Sequence, residues 1–301
     1  MKKLFGLFLL LSGITVNALA DSEAINCGAC ASWNQQQKPF NVYGNTWYVG
    51  PKGLSSILIT SPQGHILLDG ALPQSAKLIQ AHIRALGFRV EDIKLIVNSH
   101  AHFDHAGGIA ALQKASGATV AASASGAAVL IAGTVDADDP QFDPKNPFHV
   151  PKVDKVQIVQ DGESLHVGDL VITAHTTPGH TPGSTAWTWK SCEKERCLNV
   201  VYADSLNPIS SDGFNFLGDA QHTDVAPLFK ESIAKVAGLP CDILLAPHPG
   251  MVDTFEKQAT KTAKLNPFID PNACRAYAEN ASERLEERLA KERLNTAVTK
   301  K

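Results

Sequence analysis

Three histidines and one carboxylate fall within six positions in the string NSHAHFDH at residues 98–105. The string follows a short apolar segment, 93–97, that predicts a buried strand. His100 and His102 can point the same way from extended backbone, whereas Asp104 and His105 belong to the turn and to the start of a helix. Zinc binds imidazole nitrogen and carboxylate oxygen readily, so the spacing predicts a metal site rather than a polar turn with incidental histidines.

Two further histidines lie in loops that proline and glycine stiffen. His180 lies in the string TPGHTPGS at 177–184, between two predicted strands, and His248 lies in PHPG at 247–250, directly after one. Either histidine alone could be incidental, but a rigid loop at a strand end tends to present a side chain for function. Together with the cluster they complete six potential ligands. The remaining histidines are interpreted as ordinary surface or core residues: His65, His82, His149, His166, His175 and His222.

Hydrophobic periodicity and turn residues predict the elements that would position these ligands. Strands are predicted over 42–49, 55–60, 65–69, 93–97, 119–122, 156–159, 170–174, 185–189, 198–202 and 242–246. Helices are predicted over 74–86, 108–116, 127–132, 225–236 and 272–294, and the Asp- and Pro-rich segment 136–152 is predicted to be an exposed loop. This pattern favours an α/β sandwich of two packed sheets with helices outside.

Composition agrees with one globular domain. The chain has 301 residues, of which 44% are hydrophobic and 19% charged, with a formal net charge of −3, so neither a disordered protein nor a nucleic-acid surface is indicated. Residues 1–20 resemble a secretory signal: two lysines, an apolar stretch and an Ala-Leu-Ala cleavage site. The alternative is a retained amphipathic anchor. We therefore predict a domain at 21–301 that is periplasmic or secreted and free of the membrane after cleavage.

An exported protein with six cysteines is expected to form disulfides, although six cysteines allow 15 connectivities. Cys192 and Cys197 flank a polar hairpin-like tip and are the safest pair. A bridge from Cys241 to Cys274 would close a loop of about 34 residues and contribute roughly 3–4 kcal/mol. The CxxC formed by residues 27 and 30 could be a redox or zinc motif, but no βαβ context follows it, which favours a small structural bridge.

Several strings resemble a known family: SHAH at 99–102, AGG at 106–108, GHTPGSTAWTW at 179–189, YADSL at 202–206 and PHP at 247–249. They are similar to the metallo-β-lactamase fold superfamily, and within it to the third subclass of class B β-lactamases, over essentially the whole mature chain. The resemblance implies a four-layer αββα sandwich of two mixed sheets flanked by helices. It also implies an exported enzyme with two Zn²⁺ per chain, and the Cys241–Cys274 pairing is typical of that subclass.

By that resemblance the six ligands divide between two zinc ions. His100, His102 and His180 would hold the first ion, and Asp104, His105 and His248 the second. Two zinc ions about 3.5–4 Å apart would share a water whose pKa falls to about 7, which supplies hydroxide at neutral pH. Asp104 would orient that hydroxide as the catalytic residue. Asp69 matches the superfamily's first acidic motif and is expected to orient a ligand histidine from behind, the alternative being a solvated turn residue.

The resemblance also implies substrate contacts. Ser205 and Gln141 match positions that touch substrate in similar enzymes, and Ser205 occupies the stretch in which the other subclasses carry a cysteine ligand. Asn207 stands where the subclass usually has Ser or Thr, and its amide can still hydrogen-bond a carboxylate.

Two features of the N-terminal arm are also expected. Lys52 replaces a cysteine that some relatives carry, which leaves Cys30 as the partner of Cys27. Trp33 and Phe40 are interpreted as packing residues rather than as a cover over the cleft.

The predicted function is hydrolysis of penicillins, cephalosporins and carbapenems by a monomer whose partner is the small-molecule β-lactam. One alternative is another hydrolase of the same fold, a thioesterase or lactonase, in which an aspartate such as Asp204 would bridge both metals. The other alternative is a zinc-binding protein without catalytic activity. It is disfavoured because metal storage does not require ligands from widely separated segments of the chain.

Overall fold

The structure is a computed structural model that describes residues 24–220 and 222–299, with side chains described to residue 295. The predicted signal peptide at 1–20 lies outside the described residues. Within the described part of the chain, no helix has the length and apolar character that a membrane span requires.

A seven-stranded sheet forms the first half of the protein. Its strands follow chain order: β1 Phe40–Tyr43, β2 Thr46–Tyr48, β3 Ile57–Ile59, β4 His65–Leu68, β5 Ile93–Val97, β6 Thr119–Ala122 and β7 Val156–Ile158. The pairs from β1 to β4 are antiparallel and those from β4 to β7 are parallel. The single strand predicted at 42–49 is wrong, because the chain turns between β1 and β2 at Gly44. Gly44 has a φ of +48°, and a Cβ there would lie 2.4 Å from the carbonyl oxygen of Cys192, so only glycine fits this turn.

A five-stranded sheet packs against the first. It contains β8 Ser164–Val167, β9 Leu170–Thr176, β10 Thr185–Glu193, β11 Arg196–Tyr202 and β12 Ile243–Leu245, in the order β12-β11-β10-β9-β8. Only the β11–β12 pair is parallel. The sequence reading missed β8, an edge strand of four residues in which exposed and buried positions alternate.

Eight α-helices complete the described chain: α1 Cys30–Trp33, α2 Ala76–Ala85, α3 Phe103–Ala106, α4 Ile109–Ser116, α5 Ala124–Ala132, α6 Ala226–Gly238, α7 Thr254–Thr260 and α8 Ala273–Thr299. One apolar cluster lies between the two sheets, a second lies under α2, α4 and α5, and a third lies under α6 and α8. Three apolar layers separate four structural layers, so the predicted αββα sandwich is confirmed. Helices α1 and α7 were not predicted.

All six cysteines form disulfides in the structure. Cys192 and Cys197 pair across the β10–β11 hairpin, where they are also register partners. Cys241, just before β12, joins Cys274 in the first turn of α8. The third bridge links residues 27 and 30 at the start of α1. These are the three pairs that the sequence analysis favours.

A buried carboxylate joins the two sheets beneath the predicted ligands. Asp69 follows β4 with a φ of +56°, and its carboxylate accepts hydrogen bonds from Asn98 Nδ2 (2.9 Å), from Ser99 N (2.8 Å) and Oγ (2.6 Å), and from the Tyr202 hydroxyl (2.9 Å). Asp69 is fully buried, so it is not a solvated turn residue, and in the described structure it makes no direct hydrogen bond to a histidine. It instead holds the residues that lead into His100, at the end of β5.

The loop lengths predict unequal contributions of two disulfides to stability. The Cys241→Ser/Cys274→Ser double variant opens a loop whose two cysteines are 33 residues apart in the sequence. The Cys192→Ser/Cys197→Ser double variant opens a loop whose cysteines are only 5 residues apart. On the chain-entropy model the first pair should lose about 3–4 kcal/mol of unfolding free energy and the second about 2 kcal/mol. Urea titration of the mature protein measures both, and equal losses would contradict the assignment of Cys241–Cys274 as the main covalent support.

The contact between Tyr202 and Asp69 predicts a specific loss of stability. Tyr202→Phe removes one of the donors to a buried carboxylate and should lower the unfolding free energy by about 1.5–3 kcal/mol. Tyr43→Phe is the matched control, because that buried hydroxyl donates to a neutral acceptor, the carbonyl oxygen of Arg196 (3.0 Å), and should cost about 1 kcal/mol. Chemical denaturation of both variants makes the comparison. A Tyr202→Phe loss no larger than that of the control would mean that the carboxylate gains nothing special from this donor.

Candidate metal centre

The six predicted ligands converge at one end of the sandwich, where strands from both sheets end. His100 and His102 follow β5, and Asp104 and His105 lie in the short helix α3. His180 lies in the β9–β10 loop, and His248 follows β12. Five of the six residues are buried, and the side chain of His248 is 24% exposed. Two overlapping groups of potential metal ligands are found in the described residues, namely His100, His102 and His180, and His100, Asp104 and His105; His248 and the other six histidines lie outside both.

The first ligand group, His100, His102 and His180, brings one ligand atom from each residue within 4.8 Å of the others. In each ring one nitrogen contacts an oxygen of another residue, and this nitrogen is called the outer nitrogen below. His100 Nδ1 donates to Asp204 Oδ1 (2.7 Å), His102 Nε2 donates to the Asp139 carboxylate (3.0 and 3.2 Å), and His180 Nδ1 donates to the carbonyl of Asn207 (2.9 Å). A carboxylate or a carbonyl only accepts, so the protons lie on these outer nitrogens and the inner nitrogens carry lone pairs.

The environment of this group suits a metal. His100 Nε2 is buried and makes no hydrogen bond to any described residue, which costs a protein about 1–3 kcal/mol unless another partner binds it. Burial lowers the pKa of His100 well below its ordinary value, and the neighbouring histidines lower it further. The same causes lower the pKa of His180 to about 3. Both rings are therefore neutral at physiological pH, as metal-binding imidazoles must be.

The second ligand group, Asp104, His105 and His248, lies directly beside the first. Asp104 Oδ2 is 3.1 Å from His105 Nε2 and 3.4 Å from His248 Nε2, and the two ring nitrogens are 3.2 Å apart. Burial opposes ionisation of Asp104, but His105 and His248 hold the pKa of this carboxyl well below its usual range. An ionised carboxylate and two imidazole nitrogens within 3.4 Å form a donor set that zinc accepts.

Asp204 contacts a histidine of the first ligand group but is not itself a member of that group. Its carboxylate contacts the outer nitrogen of His100, and it belongs to neither group of potential ligands. Burial raises the pKa of Asp204 to about 6, although His180 and Ser184 oppose this rise. This position does not fit an aspartate that bridges two metals, as the thioesterase or lactonase alternative requires.

The sequence reading missed Asp139. This residue lies in the segment 136–152 that was predicted to be exposed, yet its side chain is 6% exposed and bonds His102, while its neighbour Asp138 faces solvent. Burial opposes ionisation, but His102 lowers the pKa of Asp139 below its ordinary value. No spacing relates the two residues along the chain, and only the acidic composition of the loop could have drawn attention to it.

A cleft of about 390 Å³ opens onto both ligand groups. The three predicted substrate-contacting residues, Ser205, Asn207 and Gln141, all line it. Gln141 Nε2 lies 3.4 Å from both His102 Nδ1 and His180 Nε2. Ser205 Oγ is buried and makes no hydrogen bond within the described residues.

The N-terminal arm forms part of the cleft wall. Trp33, at the end of α1, lines the cleft, and its ring centroid lies 5.4 Å from that of His248. The interpretation of Trp33 as a packing residue alone is therefore wrong. Phe40 stacks on Tyr48 in the core between the sheets, as expected of a packing residue.

Both the sequence and the fold of this chain are similar to those of known proteins. Residues 49–188 match the family model described as the metallo-beta-lactamase superfamily. MEM-A1, a subclass B3 metallo-beta-lactamase isolated from a soil metagenome library, is 48% identical, with 87% of this chain and 99% of that chain covered and a TM-score of 0.84. The Rm3 metallo-beta-lactamase is 48% identical, with coverages of 89% and 100% and a TM-score of 0.86. MIM-1 from Novosphingobium pentaromativorans is 42% identical, with coverages of 87% and 93% and a TM-score of 0.80.

Proposed function

The chain belongs to subclass B3 of the metallo-β-lactamases, and we propose that it confers antibiotic resistance by hydrolysing penicillins, cephalosporins and carbapenems. It is a zinc-dependent hydrolase that opens the cyclic amide of β-lactams. The observation that carries the proposal is the placement of two adjacent sets of three potential ligands beside one cleft, the first a detected ligand group and the second defined by contacts of 3.1–3.4 Å, in a chain that matches B3 enzymes over nearly their full length.

Each ligand group is proposed to hold one zinc ion, so that the protein binds two per chain. The first group offers three neutral nitrogens whose outer atoms are already fixed by oxygens. The second group offers a carboxylate and two imidazole nitrogens at mutual distances of 3.1–3.4 Å. When bound, zinc polarises the lactam carbonyl and lowers the pKa of a water.

The residues of the chain then orient the reactants. Asp104 lies beside both His105 and His248, and its carboxylate would direct the attacking water by accepting a hydrogen bond. Ser205 Oγ makes no hydrogen bond to the described part of the chain and is available to donate to the substrate carboxylate. Asn207 lines the same part of the cleft, and Gln141 reaches the first ligand group from the opposite wall.

The enzyme is proposed to act as a monomer in the periplasm. The N-terminal signal pattern at 1–20 supports export. Three disulfides support it independently, because such bridges persist in oxidising compartments and are rare in the cytosol.

Zinc content distinguishes proposed ligands from their neighbours. Elemental analysis of the mature protein is expected to find close to two zinc ions per chain. After dialysis, His105→Ala should retain about one ion, because it removes one of three proposed ligands of the second. Ser205→Ala should retain two and lose roughly 1–2 kcal/mol of transition-state binding, measured as kcat/KM with a carbapenem.

Asp204→Asn tests the alternative in which this carboxylate bridges both metals. Since Asp204 lies behind His100, the variant should bind two zinc ions at saturating metal, with affinity weakened about 10–100-fold. An Asp204→Asn protein that stays empty at saturating zinc, together with a His105→Ala protein that keeps two ions, would reverse the ligand assignment.

A substrate panel tests the reaction itself. A penicillin, a cephalosporin and a carbapenem should be hydrolysed, and an acyl-homoserine lactone and lactoylglutathione should not be turned over at a comparable rate. Chelation should abolish hydrolysis and added zinc should restore it. Faster turnover of the lactone or the thioester, or activity that survives exhaustive chelation, would overturn the proposal.

A further inference from the structure

The carboxylate of Asp139 makes two kinds of contact at once. Both of its oxygens accept from His102 Nε2, at 3.2 and 3.0 Å, and Oδ1 also accepts from the backbone N–H of Gln141 at 2.8 Å. The side chains of Asp139 and His102 are 6% and 5% exposed, so water screens this contact little. One buried carboxylate therefore contacts a proposed zinc ligand and a proposed substrate-contacting residue.

His102 depends on this contact for its orientation. Its ring packs edge-on against three other rings, those of His100, His180 and Phe148, with centroids 4.8–5.1 Å apart. Such packing limits where the ring lies but does not select which nitrogen carries the proton. The carboxylate makes that selection, because only a protonated Nε2 can donate to it, and Nδ1 is then left with the lone pair.

The turn that carries Asp139 is also attached to the opposite wall of the cleft. Ser211 N donates to the carbonyl of Pro140 (2.8 Å), and Ser211 Oγ donates to the carbonyl of Gln141 (2.8 Å). The residues 139–141 thus lie between His102 on one side and Ser211 on the other. A change in how tightly His102 is held must act on this turn, and a change in the turn must act on His102.

We propose that Asp139 is a positioning residue that couples metal binding at the first ligand group to the order of the cleft wall formed by residues 136–148. The proposal rests on the proposed function, since it takes zinc as the ion bound at His102. With zinc bound, the ring of His102 would be fixed, and its hydrogen bond would in turn fix the Asp139 carboxylate and, through the backbone N–H, Gln141 at the rim. By linkage the ordered wall in turn strengthens zinc binding by the same factor.

The first arm of the test measures zinc affinity by competition with a chromophoric chelator. Asp139→Ala should weaken binding at the first ligand group about 10–100-fold. Asp139→Asn keeps one acceptor oxygen without the charge and should fall between this variant and the wild type. Asp138→Ala is the matched control, because Asp138 is exposed and has no contact with His102, and its affinity should stay within about twofold of the wild type.

The second arm measures amide hydrogen exchange of peptides that cover 136–148, with and without zinc. In the wild type and in Asp138→Ala, zinc should slow exchange in this segment, and in Asp139→Ala that protection should be lost. The wild-type comparison needs no variant, so it decides the question even where Asp139→Ala fails to fold.

The outcomes separate the two proposals. A wild-type protein that binds no zinc overturns both the proposed function and this coupling. Normal zinc binding by the wild type, with Asp139→Ala as tight as Asp138→Ala or with exchange at 136–148 unaffected by zinc, overturns the coupling alone.

Discussion

The buried carboxylate of Asp69 is the interaction on which the geometry of the metal centre depends. A carboxylate without solvent is costly, and burial raises the pKa of Asp69, but donors from the residues directly after β5 and from the end of β11 compensate its charge. Those strands belong to different sheets, so the compensation is complete only when the sheets pack in one register. The Trp187 indole, which donates to the carbonyl of Asn98 (3.0 Å), adds a second link between the sheets at the same level. His100 then leaves the end of β5 in a direction that both sheets define.

The two ligand groups are supported in different ways. Each histidine of the first group is oriented from behind by an oxygen from a distant part of the chain, namely Asp204, Asp139 or Asn207. The second group has no comparable support: His105 Nδ1 is buried without a hydrogen-bond partner in the described residues, and His248 is partly exposed beside Trp33. Burial leaves His100 and His180 neutral, whereas the second group carries an ionised carboxylate. The first group is therefore neutral and preorganised by hydrogen bonds, whereas the second group carries the negative charge and is less preorganised.

Helix α8 supports the wall that carries Ser205 and Asn207. The Tyr277 hydroxyl donates to the carbonyl of Asp204 (2.9 Å), near the start of this wall. Farther along the helix, Arg288 Nη2 donates to Ser210 Oγ (2.8 Å), and the buried Glu292 accepts from Arg288 Nε and from backbone amides of the same loop. The Cys241–Cys274 bridge attaches the first turn of α8 to the strand edge, so one helix connects the covalent framework to the cleft.

The sequence by itself determined the layers of the fold and the six proposed ligands, because both depend on short-range patterns. Apolar runs predict the buried strands β4, β5, β11 and β12, and the spacing in residues 98–105 places four ligands at one strand end. Local signals were insufficient where a turn interrupts an apolar run, as at Gly44, or where an edge strand is short, as in β8.

Only the tertiary structure determines which groups form hydrogen bonds with the outer nitrogens of the ligand histidines. Asp139 and Asp204 lie 37 and 104 residues along the chain from the histidines that they contact, and no local pattern connects such positions. Whether Asp69 meets a histidine or the backbone before it, and whether Trp33 packs in the core or lines the cleft, depends in the same way on how distant segments pack. Burial, proton position and hydrogen-bond partner are properties of that packing, so they exist only once the two sheets and their loops have come together.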